Sequence, residues 1–212
     1  IESNIVGTFN VMECARIAKV QHLLMASTSS VYGANTEMPF DERQKADMPL
    51  TIYAATKKAT EAMGHSYAHL HALPVTMFRF FTVYGPWGRP DMAPIKFAKG
   101  IQAGTPIDIY NHGDMWRDFT YVEDLVRGIA MLIDAVPGGP ETAVKGDSLS
   151  PAAPFRIVNI GNSEKVRLLD FIEALEQELG HKAIRNYMPM QAGDVPATWA
   201  NADLLTALTG YK

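Results

Sequence analysis

The sequence of 212 residues has one cysteine, no long apolar run and no excess of positive charge. The single Cys14 excludes an internal disulfide framework and agrees with a reducing compartment. Apolar stretches such as Gly128–Val136 are short and broken by charge, so no membrane span is predicted. The net charge is −4 without a basic run, which makes nucleic acid an unlikely main partner.

The N-terminal residues also lack the basic start and apolar core of a signal peptide, and a cytoplasmic location is therefore the expectation. Apolar residues make up 47% and charged residues 20%, the balance of an ordinary globular protein. There is no initiator Met, and helical spacing of apolar residues already covers Asn4–Val20. We therefore expect the chain to begin inside a larger architecture.

Helical and strand patterns alternate in the first 90 residues. A helix at 4–20 precedes a buried strand at 22–27, and a helix at 51–73 precedes a second buried strand at 75–80. This alternation predicts an α/β fold with a parallel sheet. Because ligands of such sheets bind beyond the carboxyl ends of the strands, residues 27–30 and 81–84 are expected to face one crevice.

The pattern changes after Pro90, and we expect a smaller region there. It comprises helices at 93–104, 166–179 and 202–208, a helix ending at 136, and strands at 107–111, 156–160 and 183–190. The predicted division is residues 1–90 and 91–212, with the strand near 156–161 returning to the main sheet. The Gly- and Pro-rich segment 137–154 is expected to be a mobile insertion.

Tyr53 and Lys57 are the most informative residues. A spacing of four places a phenol and an ammonium on one side of a helix, one turn apart. A nearby cation stabilises a phenolate, so such a pair can act as a base. Thr28 lies twenty-five residues upstream, at the end of the first strand, and could aim a hydroxyl at the same substrate oxygen. Together the three residues predict catalysis rather than chance spacing.

Four motifs in this order resemble the extended short-chain dehydrogenase/reductase superfamily of nucleotide-sugar epimerases and dehydratases. They are Thr28-Ser29-Ser30, Tyr53-x-x-x-Lys57, the block Arg79–Asp91, and Arg117–Val122. The resemblance covers essentially the whole chain, and the block through Asp91 is most similar to UDP-glucuronate 4-epimerases. It implies a doubly wound, Rossmann-like parallel sheet with a smaller C-terminal α/β region that binds a UDP-sugar, and NAD as cofactor.

The sequence departs from this family in one respect. Family members begin with a Gly-rich turn that meets the NAD pyrophosphate at a helix N-terminus. No Gly-x-x-Gly-x-x-Gly opens a helix here. The N-terminal half of the nucleotide-binding fold is therefore expected to be missing, and the chain alone is expected to bind NAD poorly and to be inactive.

The resemblance also implies residue roles. Tyr53 would take the proton of the sugar 4′-hydroxyl, Lys57 would lower the Tyr53 pKa and hold the nicotinamide ribose, and Thr28 would hydrogen-bond the same sugar oxygen. Ser27 and Phe80 would contact the nicotinamide side, and Asn4 would support the cofactor from the first helix.

Ser29 and Ser30 separate the reaction types. Dehydratases of this superfamily carry Asp-Glu at these positions and UDP-glucuronate decarboxylases carry Ser-Glu. Elimination of water needs a carboxyl acid/base pair, which two serines cannot supply. The expected reaction is therefore 4-epimerisation, most similar to that of UDP-glucuronate. Epimerisation of a neutral UDP-hexose and decarboxylation remain open, as does an inactive dimerising fragment.

The remaining substrate contacts follow from the same resemblance. Thr82 and Arg89 would hold the sugar carboxylate, and a pair between Arg89 and Asp91 is the alternative. Arg117 would contact the diphosphate, unless it pairs with Asp118 or Glu123. Tyr110 would stack on uracil. Two further polar positions are Gln191, which replaces a family arginine near the phosphates, and Asp194, which would take the ribose hydroxyls or cap a loop.

Two further expectations concern metals and assembly. His65 and His69 have the spacing of a two-histidine metal site, but no third ligand follows in a fitting frame, so no metal is predicted. The helices at 4–20 and 51–73 resemble the pair that forms a four-helix dimer interface in this superfamily. A homodimer is therefore expected.

Overall fold

Helices and strands alternate along residues 1–211, the part of the chain that the computed structural model describes. The helices are α1 (Gly7–Ala18), α2 (Ile52–His71), α3 (Ala93–Ala103), α4 (Val122–Leu132), α5 (Leu168–Leu179) and α6 (Asp203–Thr209). The strands are β1 (Leu23–Ala26), β2 (Val75–Phe80), β3 (Thr82–Tyr84), β4 (Pro106–Ile109), β5 (Trp116–Arg117), β6 (Phe119–Tyr121), β7 (Phe155–Ile160), β8 (Val166–Arg167), β9 (Ile184–Tyr187) and β10 (Ala197–Thr198). A π-helical turn at Glu2–Val6 leads into α1.

The main sheet is parallel, with the strand order β1-β2-β7. Leu23 lies opposite Val75, and Val75 in turn lies opposite Phe155. Its central strand β2 is buried along nearly its whole length, because helices cover both faces of the sheet. The predicted α/β fold with a doubly wound parallel sheet is confirmed.

Each face of the sheet has its own apolar core. Val75 and Met77 of β2 pack with residues of α1 and α2 on one face. Phe78 of β2 points to the other face, where it packs with residues of α4 and α6. The alternation along β2 therefore sorts the helices onto opposite sides of the sheet.

The smaller strands form two pairs and one three-stranded sheet, apart from the main sheet. β3 pairs with β6, β4 pairs with β9, and β5 lies between β10 and β8. A third apolar core joins α3 and α5 with these strands through Phe97, Ile109 and Ile172. β7 lies in the main sheet although it follows residue 91. The division of the chain at residue 90 remains a prediction.

The segment 137–154 is fastened to the core, in contrast to the expected mobile insertion. The guanidinium of Arg156 in β7 donates to both carboxylate oxygens of Asp147, at 2.9 and 3.0 Å. Two histidines of α2 contact the same segment: His65 bonds Ser150 Oγ and His69 bonds the carbonyl of Ala152. Composition alone did not predict this anchoring, since the partners lie on distant elements.

No helix within residues 1–211 combines the length and apolar character needed to cross a membrane.

Candidate active site

The carboxyl end of β1 presents the first hydroxyl of the site. Thr28 follows this strand and caps a 3-10 turn, Ser29–Tyr32, in which its Oγ1 accepts the Ser30 N–H at 3.2 Å. The same hydroxyl donates to Ser30 Oγ at 3.2 Å. Thr28 is thus held by local bonds to Ser30.

The N-terminus of α2 supplies the phenol and the ammonium. Thr51 caps the helix, since its Oγ1 accepts the N–H of Ala54 at 3.1 Å. Tyr53 therefore lies in the first turn, where it is 48% exposed. Its hydroxyl makes no hydrogen bond to any residue in the described range 1–211, which leaves it available to a substrate oxygen.

Lys57 lies one turn further along α2 and reaches the end of β1. Its Nζ donates to the carbonyl of Ala26 at 2.7 Å. Burial lowers the pKa of Lys57, and the nearby Glu61 carboxylate opposes that shift. The ammonium is thus directed to the strand end that carries Thr28.

A cavity of about 890 Å³ opens at this carboxyl edge. Ten of the predicted site residues line it: Ser27, Thr28, Ser29, Ser30, Tyr53, Phe80, Thr82, Arg89, Arg117 and Asp194. A second cavity of about 700 Å³ shares Thr82, Arg117 and Asp194 with the first and adds Tyr110 and Gln191. Two adjoining cavities therefore offer space for a ligand with two parts.

Two predicted residues lie outside both linings. Lys57 reaches the site only through the Ala26 carbonyl. Asn4 lies in the π-helical turn before α1 and donates through Nδ2 to Thr56 Oγ1 at 3.0 Å. Asn4 therefore braces α2 next to Lys57. Its predicted role in supporting the cofactor is not tested by this contact.

The arginines of the cavity are both paired. Arg89 forms an exposed ion pair with Asp91, with Nε 3.1 Å from Oδ1. Arg117 donates through Nη2 to Asp194 Oδ1 at 2.8 Å, so its partner is not Asp118 or Glu123. Arg117 and Asp194, which are predicted to contact neighbouring parts of a nucleotide, are thus joined to each other.

Sequence reasoning missed a buried ion pair beneath the site. Glu61 and Arg79 have side chains 2% and 1% exposed, and Arg79 donates from Nε and Nη2 to the two carboxylate oxygens at 2.8 Å each. Ser27 Oγ donates to the same carboxylate at 2.6 Å. A signal was present: Arg79 is the one charged residue of the strand Val75–Phe80, and Glu61 continues the four-residue spacing of Tyr53 and Lys57.

Asp118 is a second missed residue, buried beside Arg117. Its carboxylate accepts the backbone N–H groups of Asn162 at 2.8 Å, Ser163 at 2.9 Å and Ala200 at 3.2 Å. The hydroxyl of Thr120 donates to it at 3.0 Å. Burial raises the pKa of Asp118, while these four donors act in the opposite direction. The carboxylate thus joins the turn after β7 and the residues after β10 to the chain next to Arg117, which lines the cavity.

Within residues 1–211, no group of three or more His, Cys, Asp or Glu side chains is placed to hold a metal ion. His65 and His69 instead bond Ser150 and Ala152 of the segment 137–154.

The fold and the site together define the class of protein. A parallel sheet covered on both faces, with a Tyr-Lys pair and a Thr hydroxyl at its carboxyl edge, is the arrangement of the short-chain dehydrogenase/reductase type. Residues 1–161 match the model of the NAD dependent epimerase/dehydratase family, and the chain belongs to that family. NAD is the cofactor of the family.

Curated relatives extend this assignment. The chain is 54% identical to a probable UDP-glucuronate 4-epimerase of Rhizobium meliloti (strain 1021), and 53% identical to protein CapI of Staphylococcus aureus. Each alignment covers 100% of the chain, but only 63% and 64% of these relatives. The chain thus spans less than two thirds of their length.

A solved structure gives the same picture. The UDP-glucuronic acid 4-epimerase of Bacillus cereus, in complex with UDP-glucuronic acid and NAD, superimposes with a TM-score of 0.84 at 30% identity. The superposition covers 100% of this chain and 62% of that structure.

Proposed function

We propose that the whole protein is an NAD-dependent UDP-glucuronate 4-epimerase, which forms UDP-galacturonate through a 4-keto intermediate. The main observation for this proposal is that Thr28, Tyr53, Thr82 and Arg89 line the same cavity. The Rhizobium and Bacillus relatives named for this activity support it.

The residues around the cavity fit the nicotinamide end of NAD. Ser27, Tyr53 and Phe80 line the cavity, and the Lys57 ammonium lies beside it, so hydroxyls, a cation and an aromatic ring are available to a ribose and a nicotinamide. NAD, when bound, would accept hydride from the sugar C4′ and return it. Dinucleotide phosphates usually bind a Gly-rich helix N-terminus. Residues 1–212 contain no such motif. Ser27, Tyr53, Lys57 and Phe80 therefore account for the nicotinamide end of NAD only.

Tyr53 is the proposed base. Its side chain lines the cavity and is half exposed, and its hydroxyl would take the proton of the 4′-hydroxyl. Lys57 would stabilise the negative charge that develops on the phenolic oxygen, and Thr28 would donate a hydrogen bond to the sugar oxygen. After the keto sugar has turned over in the site, Tyr53 would return the proton to the same oxygen.

The choice of substrate rests on Thr82, Arg89 and the serines. A 4-keto glucuronate is a β-keto acid, so an epimerase has to hold the carboxylate where it does not leave as carbon dioxide. Arg89 offers a bidentate cation for that carboxylate, and Thr82 a hydroxyl. Ser29 and Ser30 line the same cavity and offer no carboxyl acid or base for elimination.

One observation favours a second candidate. Arg89 is exposed and already paired with Asp91, which would leave the C5 substituent to Thr82, an uncharged polar group. A neutral UDP-hexose would then be the substrate of the same 4-epimerisation. Discrimination between UDP-glucuronate and UDP-glucose therefore decides between the two.

The test is an assay of the whole protein with NAD and each nucleotide sugar, with products identified by NMR. UDP-galacturonate from UDP-glucuronate is expected, without UDP-xylose. Tyr53→Phe should lower kcat by about 10²- to 10⁴-fold, the usual contribution of a general base. Tyr67→Phe is the matched control, since this tyrosine lies on the same helix and bonds Glu13 instead. An NAD-loaded protein that makes no UDP-galacturonate would falsify the proposal.

We further propose a homodimer through α1 and α2. Apolar side chains remain exposed on these helices, among them Phe9, Val11, Ile17 and Leu70. Phe9 and Tyr67 join the two helices edge to face at 6.1 Å, which makes one continuous surface for a second copy. The cytoplasmic location stays a prediction.

A further inference from the structure

The pair of Glu61 and Arg79 lies between the elements that carry the site. Removing two charges from water is costly, and replacing a buried pair with apolar side chains is often neutral or stabilising. The Glu61–Arg79 pair nevertheless has full bidentate geometry under the site, with both nitrogen–oxygen distances at 2.8 Å. The pair is therefore a weak explanation of stability, and its position suggests another role.

Glu61 has a third partner that relates it to catalysis. Ser27 Oγ donates to Glu61 Oε1 at 2.6 Å, and one helical turn earlier Lys57 Nζ donates to the carbonyl of Ala26 at 2.7 Å. Two successive residues at the end of β1 are thus tied to two successive turns of α2. Thr28 is the next residue along the chain, and Tyr53 is on the preceding turn of the helix.

We infer that Glu61 is a positioning residue. Its carboxylate, paired with Arg79, holds the end of β1, and with it the Thr28 hydroxyl, in a fixed position relative to the helix that carries Tyr53 and Lys57. It contacts neither substrate nor cofactor. Its effect is transmitted through Ser27 and through the register between β1 and α2.

Arg79 has two functions in this arrangement. It compensates the buried Glu61 charge: burial would raise the Glu61 pKa, but the guanidinium, together with the Ser27 hydroxyl and the Lys58 ammonium, outweighs that effect and the pKa is lowered. It also lies 4.6 Å above the ring of Tyr32, which ends the turn that Thr28 caps. The Tyr32 hydroxyl donates to Asn159 Oδ1 of β7 at 2.8 Å. The Glu61–Arg79 pair and its neighbours thus connect the Thr28 turn with all three strands of the main sheet.

The charge of Glu61 also acts on Lys57. Burial lowers the pKa of Lys57 and Glu61 opposes this shift, so the carboxylate favours the ammonium form that donates to Ala26. Lys58, 3.4 Å from Glu61 Oε2, is the other nearby cation on α2. A variant without the Glu61 charge should therefore lower the Lys57 pKa further.

The inference rests on the proposed function for its kinetic arm only, and the experiment uses Glu61→Gln in the whole protein. The glutamine keeps the shape and hydrogen-bonding capacity of the side chain and removes its charge. Competitive acetylation of lysines across pH 7 to 11, read residue by residue by mass spectrometry, should give a lower apparent pKa for Lys57 than in the unsubstituted protein. Lys58→Gln is the matched control, since it removes a charge from the other side of Glu61 at a partly buried position of the same helix and leaves the Glu61 carboxylate in place.

In the kinetic arm, Glu61→Gln should lower kcat by about 10- to 100-fold through loss of alignment, while KM changes little because the substrate contacts remain. Ser27→Ala is the second variant if Glu61→Gln fails to fold. It removes the Ser27–Glu61 bond and should likewise lower kcat, measured at saturating NAD because Ser27 also lines the nicotinamide side of the cavity. An unchanged Lys57 titration together with an unchanged kcat in a folded variant overturns the inference. A failed epimerase assay affects the kinetic arm alone, because acetylation needs no substrate.

Discussion

At the scale of single residues, the side chains of the site are of two kinds: those whose polar atoms have no protein partner, and those that are already paired. The Tyr53 hydroxyl has no protein partner within residues 1–211, whereas Arg89, Arg117 and Glu61 all have one. A base has to meet its substrate, so an unpartnered hydroxyl in a cavity suits that role. For Arg89, binding of a carboxylate requires exchange of the Asp91 partner.

Arg89 carries the first prediction. Arg89→Ala should raise KM for UDP-glucuronate by about 10- to 100-fold, the usual loss for a hydrogen bond to a charged group. Turnover of a neutral UDP-hexose should change little. Steady-state kinetics with both substrates measure this selectivity. Arg43→Ala is the control, since Arg43 is paired in the same way with an aspartate two residues away but lies outside the cavity. Equal losses for both substrates would contradict a carboxylate contact.

The second prediction concerns Glu42 and the dependence of the free energy of unfolding on pH. Burial raises the pKa of Glu42 from 4.5 to about 7, and its carboxylate accepts the N–H of Asn159 at 2.7 Å. Because the folded-state pKa lies above the unfolded one, the folded protein binds more protons between these values. The free energy of unfolding should fall as the pH rises from about 4.5 to about 7, by up to about 3 kcal/mol.

Urea denaturation of the unsubstituted protein and of Glu42→Gln across this pH range tests the prediction. The glutamine keeps an acceptor for Asn159 but does not titrate, so its advantage should grow with pH. Asp41→Asn is the control with the opposite sign, since Arg43 lowers the pKa of that neighbouring carboxyl. A stability difference that does not vary with pH would exclude Glu42 as the titrating group.

At the scale of elements, the short strands around the cavity depend on one carboxylate. Asp118 follows β5, receives N–H bonds from the turn after β7 and from the residues after β10, and thereby holds Arg117 at the cavity. An asparagine has a single acceptor oxygen and would leave buried donors without a partner. Asp118→Asn should therefore lower the free energy of unfolding by about 2 kcal/mol or more.

Thermal and urea denaturation measure this loss, and nucleotide-sugar affinity should fall with it because Arg117 shares the strand. Asp114→Asn, an exposed change three residues before β5 ends, should stay within about 0.5 kcal/mol. Equal stability of the two variants would show that the hydrogen bonds to the Asp118 carboxylate contribute little to the free energy of unfolding.

At the scale of the whole molecule, the exposed apolar side chains of α1 and α2 predict assembly. Phe9→Asp places a charge in the proposed interface and should weaken dimerisation by about 30-fold or more, as expected for a buried aromatic contact. Val126→Asp is the control, since Val126 is similarly exposed but lies on α4, on the other face of the sheet. Sedimentation velocity over a concentration series measures both, and a monomeric unsubstituted protein would refute the dimer.

Local sequence patterns were sufficient to predict much of the secondary structure of this protein. The strand at 75–80 agrees with β2, and the helix at 51–73 differs from α2 by one or two residues at each end, because apolar periodicity and the Thr51 cap are local signals. The family and the cofactor also follow from motifs in the sequence. Ten predicted residues line one cavity because parallel strands end at the same edge of a sheet.

The sequence by itself determined the class of protein, the Tyr53–Lys57 pair and the strand ends that meet at the site. Only the tertiary structure decided which charges pair: Arg117 with Asp194, Arg79 with Glu61, and Arg156 with Asp147 across the segment expected to be mobile. The reason is physical. Helix and strand patterns repeat over a few residues, whereas a buried charge takes its partner from whichever distant element folding brings within about 3 Å.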